Sequence, residues 1–149
     1  MSQKQENITL AHRWFEDLWN RGRFEAIDEM ADATAVGRGQ MLHDAPIDLK
    51  QFREFAHHLR SAFPDFHVTI EDTIADEDRV VLRWRANMTH TGQFLHYLPT
   101  GKKVAVSGIT IFRIRDGKIV AGWDNWDQLG MLEQIGAVPE QYPKSSAAD

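Results

Sequence analysis

Apolar residues recur along the first third of the chain at the spacing of helices. Ile8, Ala11, Phe15, Leu18 and Trp19 fall on one face of a helix predicted over residues 5–20, ended near Gly22. Phe24, Ile27 and Met30 predict a short second helix, followed by a brief extended stretch and a loop marked by Gly37-Arg-Gly39 and Ala45-Pro46. Asp48 has the chemistry of an N-cap for a third helix whose stripe is Phe52, Phe55, Ala56, Leu59 and Phe63, stopped by Pro64. From Phe66 the period changes to two. Phe66, Val68 and Ile70 alternate with polar residues. A long strand then runs from Val80 to His90 with Leu82, Trp84, Ala86 and Met88 on one parity. A strand over Val104–Ile114 is joined through Asp116-Gly117, a strong two-residue hairpin signal, to another from Ile119 to about Trp126. A short helix around Leu129–Ile135 follows, and the tail from about residue 142 to 149 is expected to be disordered.

Helices first and hairpin-joined strands afterwards predict an α+β fold, a curved sheet closed by helices around one pocket. The 149 residues suffice for one domain with a core over about residues 5–138 and no need of a disulfide or metal staple. There is no cysteine, which excludes thiol catalysis and thiolate metal sites. A net charge of −5 argues against binding a nucleic-acid backbone. No apolar run has the length of a membrane span, and the polar N-terminus lacks the apolar core of a secretion signal, so a cytoplasmic location is expected.

Several catalytic templates are missing: Gly-x-Gly-x-x-Gly, a phosphate-binding loop, a Gly-x-Ser-x-Gly elbow and His-Glu-x-x-His. The seven histidines, His43 among them, are scattered, and no metal site is expected. The informative segment is Gly122-Trp-Asp-Asn-Trp-Asp127. On a strand Trp123, Asn125 and Asp127 share one face, and Asp124 and Trp126 the other. If the first set faces the pocket, Asp127 is a carboxylate among aromatic walls, with a pKa raised toward the range useful for moving protons. Two plainer roles stay open: Asp127 as N-cap of the last helix, or Asp124 and Asp127 both on a solvated turn.

Four segments resemble the SnoaL-like polyketide cyclase family, within the ketosteroid-isomerase-like (nuclear-transport-factor-2-like) fold. They are Trp19-Asn-Arg-Gly-Arg-Phe-Glu-Ala-Ile-Asp28, Thr89-His-Thr-Gly-Gln-Phe94 with Pro99-Thr-Gly-Lys102, Arg113-Ile-Arg-Asp-Gly-Lys-Ile119 with Trp123, and Asp127-Gln-Leu-Gly-Met-Leu-Glu-Gln-Ile-Gly136. The resemblance covers about residues 8–137. It implies a cone-shaped, mixed sheet wrapped around the N-terminal helices. It also implies an intramolecular aldol ring closure with no metal and no organic cofactor. Asp127 would be general base and then acid, and His90 is the second residue carried over. The chain departs from the family at the pocket rim, reading Val36-Gly-Arg-Gly39 where many relatives have a histidine, bulky His96-Tyr97 before Pro99, and Arg113 near a further expected histidine.

The pocket is expected between the sheet and the first and third helices, lined by Trp14, Phe15, Phe55, Leu59, Phe63, Trp84, Met88 and Trp123, with Arg113 and Asn125. Its expected occupant is a small aromatic or apolar ligand. Both parities of the later strands are apolar, so a homodimer, or a tetramer, through the open sheet face is expected. The alternatives are a non-catalytic ligand-binding protein, or an isomerase, epoxide hydrolase or cofactor-free hydroxylase on the same fold.

Overall fold

The computed structural model describes residues 1–41 and 45–142; His43 and the expected disorder beyond residue 142 lie outside the described residues. Helix α1 (Gln3–Arg13) starts at Ser2, whose hydroxyl accepts from the Gln5 amide at 3.2 Å. It runs directly into a π-helical segment, Trp14–Asn20, closed by an i→i−5 bond from the Arg21 amide to the Glu16 carbonyl at 3.0 Å. The helix expected over residues 5–20 is therefore widened in its second half. The wider turn buries Trp14, Phe15, Leu18 and Trp19 together. Asn20 then pins the exit, donating to the Val68 carbonyl at 3.0 Å and accepting from the Val68 amide at 2.7 Å.

Helix α2 (Ala26–Met30) leads into strand β1 (Ala31–Arg38). Helix α3 (Leu49–Ala62) begins with a capping box: Asp48 accepts from the Gln51 amide at 2.8 Å, and the Gln51 side chain accepts from the Asp48 amide at 2.9 Å. Strands β2 (His67–Asp76), β3 (Arg79–Thr89), β4 (Lys103–Arg115) and β5 (Lys118–Trp126) follow, and helix α4 (Gln128–Gln134) ends the fold. The sheet order is β1-β5-β4-β3-β2, antiparallel except for the parallel pair β1–β5. The β4–β5 turn places Asp116 at φ 52° and Gly117 at φ 75°, the two left-handed positions that an Asp-Gly hairpin favours.

One sheet face packs on the helices. Val80, Leu82, Trp84, Ala86 and Met88 of β3 and Val104, Val106, Thr110, Phe112 and Ile114 of β4 are buried there. The result is the α+β cone with a mixed sheet that the pattern and the resemblance predict. Strand β5 departs from simple alternation. Ile114 pairs with Ile119, yet Arg113 pairs with Ala121, so a bulge at Val120 inserts one residue. Beyond it Gly122, Asp124 and Trp126 stand opposite Phe112, Thr110 and Gly108, on the inner face. Trp123 and Asn125 stand opposite Ile111 and Ile109, on the outer face. Counting in twos from the buried Ile119 puts the wrong set inside, because one inserted residue reverses every side chain after it. Among the described residues no helix is long and apolar enough to cross a membrane.

Candidate functional site

The bulge turns one carboxylate, Asp124, into the cone. Two apolar lobes meet there, and both include Phe15, Trp19, Thr110 and Asp124 in their walls. The first is completed by Trp14, Phe52, Phe112 and the β1 end; the second by Phe55, Leu59, Phe66, Trp84 and Val106. With their mouths included they hold about 510 Å³ and about 420 Å³ of empty space. Both are narrow, with only a few waters' worth of room clear of the walls.

Asp124 is held from two sides. Thr110 donates to its Oδ1 at 2.5 Å, and Gln40 Nε2 donates to its Oδ2 at 2.7 Å. The Thr110 hydroxyl itself accepts from Trp84 Nε1 at 2.9 Å. An indole nitrogen only donates, so this contact turns the Thr110 proton toward the carboxylate. The Gln40 loop is fixed by Trp126 Nε1, which donates to the Gln40 carbonyl at 3.2 Å, and by Gln128 Nε2, which reaches the Gly39 and Met41 carbonyls at 3.3 and 3.4 Å. Gly39, at φ +84°, lets this loop lie against β5: a Cβ there would fall 1.8 Å from the Asp124 carbonyl oxygen.

Asp124 is half-buried as a residue and lines the cavity, and its carboxyl is enclosed by protein. Burial pushes its pKa up from the ordinary value, and the Thr110 and Gln40 hydrogen bonds pull the other way without cancelling the rise. The outcome is a carboxyl group biased toward holding a proton, surrounded by aromatic walls and, among the described residues, anchored without a cationic partner. Such a group can take a proton from a weak carbon acid and give it back.

Asp127, expected in the pocket, is exposed instead. It is the N-cap of α4 and accepts from the Gly130 amide at 2.8 Å. Trp123 lies on the outer face beneath Arg79, 6.0 Å from the ring centroid, and Asn125 is exposed beside it. Arg113 also faces outward and pairs with Asp78 at 3.1 Å. Trp123, Asn125 and Asp127 miss the cavity because of the reversal at Val120, with Asp127 carried on past the strand end into the cap, whereas Arg113 faces outward by plain alternation between the buried Phe112 and Ile114 of β4. Phe63 and Met88 are buried but lie outside both lobes, as does His90. His90 is fully buried beside Phe63; its Nδ1 meets the Thr100 hydroxyl at 3.0 Å, across the β3–β4 connection. Burial holds its pKa below the usual histidine value. Trp14, Phe15, Phe55, Leu59 and Trp84 do line the lobes. Asp124 was visible in the sequence only as the other parity of β5. Thr110 was marked only as the one polar residue on the otherwise apolar inward parity of β4, and Gln40, in a loop, carried no signal. Among the described residues no group of three or more His, Asp or Glu is placed to hold a metal.

A family model for SnoaL-like polyketide cyclases matches residues 9–135. The chain belongs to that family. Solved structures agree with this membership. This SnoaL-like chain is similar to AclR, described as a candidate hydroxylase, from Streptomyces galilaeus, with 27% identity, a TM-score of 0.85 and coverage of 95% of this chain and 87% of that one. IdmH, a candidate polyketide cyclase from Streptomyces antibioticus, is 27% identical with a TM-score of 0.74, over 91% of this chain and 99% of its own. A candidate SnoaL-like polyketide cyclase from Jannaschia sp. CCS1 shares the fold at 24% identity and a TM-score of 0.83, over 93% of this chain and 98% of that one. No functionally curated protein matches the chain.

Proposed function

We propose that this SnoaL-like protein is an enzyme that closes a ring in a flat, apolar polyketide or similar carbon acid by intramolecular aldol addition, with Asp124 as the sole general base and acid. The observation that carries the reading is the carboxyl of Asp124 at the junction of two apolar lobes, held by Thr110 and Gln40 and pushed up in pKa by burial. Ionised Asp124 removes the proton from the activated carbon, and the electron pair of that C–H bond becomes an enolate. The enolate carbon attacks a carbonyl carbon of the same molecule, the new C–C bond forms, and the alkoxide takes the proton back from Asp124. Conjugation in the substrate spreads the enolate charge, so these steps call for neither metal nor organic cofactor.

Asp124→Asn tests the assignment. Asn keeps the size but does not accept the proton, so turnover of an aromatic polyketide ester falls on the order of 10²–10⁴-fold while the fold is kept. Unchanged turnover discards the catalytic role and leaves a ligand-binding protein. The likeness to AclR favours one second reading, in which the same enolate carbon adds dioxygen and the peroxide takes a proton to give a hydroperoxide, which becomes a hydroxyl group only with a two-electron reductant supplied from solution. Ring closure continues under strict anaerobiosis; hydroxylation stops.

The protein would act as a cytoplasmic homodimer. Val81, Ile111 and Trp123 stand side by side across β3, β4 and β5 on the outer face, next to Ile109, which is 45% exposed. Such a patch supports pairing with a second copy through the sheet. A monomeric mass by light scattering at micromolar concentration contradicts this.

A further inference from the structure

Gln40 is 4% exposed, and its two amide atoms are treated unequally. Nε2 donates to Asp124, whereas Oε1 is closed off from solvent and has no hydrogen-bond partner among the described residues. A buried acceptor without a donor is costly, and natural sites rarely keep one without use. Three neighbouring observations say what could satisfy it.

First, an ionised carboxylate only accepts hydrogen bonds, so Asp124 in that state must face the amide nitrogen. A protonated Asp124 has a hydroxyl to donate, and an amide nitrogen does not accept it. Second, Thr110 is poorly suited to receive that proton. Trp84 Nε1 donates to its oxygen and turns its own hydrogen toward Asp124. Third, glycine at position 37 leaves the Gln40 amide uncrowded on one side. Gly37 lies beside it, and a Cβ on Gly37 would sit 3.0 Å from Oε1 and 3.2 Å from Cδ and Nε2. The loop backbone around the amide is meanwhile fixed by Trp126 and Gln128. Half a turn about the last side-chain bond exchanges oxygen and nitrogen and moves nothing else.

We propose that Gln40 is a two-state positioning residue: its amide nitrogen supports Asp124 when ionised, and its amide oxygen turns to accept from Asp124 when protonated. The proposal rests on Asp124 being the proton carrier and adds how the proton is kept. When the substrate C–H bond breaks, its electron pair stays on the substrate as an enolate and its proton goes to Asp124 Oδ2. With Oε1 turned in, that proton is held away from the enolate carbon while the ring closes. Immediate return to carbon, which would undo the step, is thereby disfavoured. When the product alkoxide takes the proton, the carboxylate is ionised again and the amide turns back.

Neutron diffraction on crystals equilibrated in D₂O on either side of the Asp124 titration reads the amide directly. Above it, the ND₂ group should face Asp124; below it, the carbonyl oxygen should face a deuteron on Oδ2. One orientation at both pH values, or a deuteron on Oδ1, overturns the proposal. Kinetics with an aromatic polyketide ester as probe give a second arm. Gln40→Met should lower kcat roughly 10- to 100-fold with KM within about twofold, and shift the acid limb of the kcat profile upward, because the donor to the ionised carboxylate is gone. Gly37→Ala, which crowds the turning amide but keeps both its atoms, should lower kcat without moving that limb. An unchanged kcat in both variants counts against the proposal even if Asp124→Asn is inactive, whereas an active Asp124→Asn removes the underlying reading whatever Gln40 does.

Discussion

Thr110→Val perturbs the carboxylate's support without changing the shape of the wall. Thr110 is 2% exposed, and valine matches its volume, so the packing term is small. The loss lies in two hydrogen bonds. Trp84 Nε1–H is left buried and unpaired, which costs about 1–3 kcal/mol at every pH. Asp124 loses one of its two donors, worth about 1.5–3 kcal/mol only while it is ionised. The destabilisation should therefore be about twice as large above the Asp124 titration as below it. For a chain of this size each kcal/mol moves the thermal midpoint by about 2–4 °C, so a drop of a few degrees at low pH should become roughly twice that at high pH. Thermal melts of wild type, Thr110→Val, Asp124→Asn and the double variant, on both sides of the titration, measure this directly. The two residues touch, so their effects should be non-additive. Equal drops at both pH values, together with additivity within about 0.5 kcal/mol, would refute the idea that Thr110 supports a charged Asp124.

Other substitutions separate the site from its surroundings. Asp127→Asn should leave turnover and midpoint nearly unchanged, and Asp127→Ala should cost about 0.5–2 kcal/mol of stability with turnover intact, as for a helix cap; lost turnover would restore Asp127 to the chemistry. Gly39→Ala should cost more than 2 kcal/mol and lower activity, since a Cβ meets the Asp124 carbonyl oxygen in a left-handed backbone position; a chemical melt with an unchanged midpoint would contradict the close approach. Because burial raises the folded-state pKa of Asp124, wild type should lose stability as pH rises from its ordinary value through the raised one, and Asp124→Asn should not; parallel stability curves for the two would count against a raised pKa.

The helices and hairpins were legible because their signals are local. The capping box at Asp48, the Asp116-Gly117 turn and the alternation from Val80 to Met88 each need only neighbours along the chain. What misled the reading of the site was also a single local event with long reach. The bulge at Val120 has no side-chain signature, and it exchanges Trp123 and Asn125 for Asp124 and Trp126 inside the cone. The parallel pairing of β1 with β5 joins segments far apart in sequence, so the loop carrying Gln40 gave no sign that it would reach Asp124. The lining, by contrast, followed largely from helix periodicity: Phe15, Phe55 and Leu59 lie on faces that had to be buried, while Trp14 joins them through the π-helical turn. Chemistry placed by packing was legible, and chemistry placed by register was not.

The central claim is that Asp124 is a buried proton carrier, and the titration of that one carboxyl tests it most directly. Carbon-13 spectra of protein labelled at aspartate carboxyls, compared with those of Asp124→Asn, isolate its signal through the pH range. A midpoint clearly above the ordinary aspartate value of 3.8 is the result the buried, aromatic-walled site predicts. A midpoint at or below that value would mean that hydrogen bonding or solvent outweighs burial and keeps the carboxylate ionised, and would contradict the account.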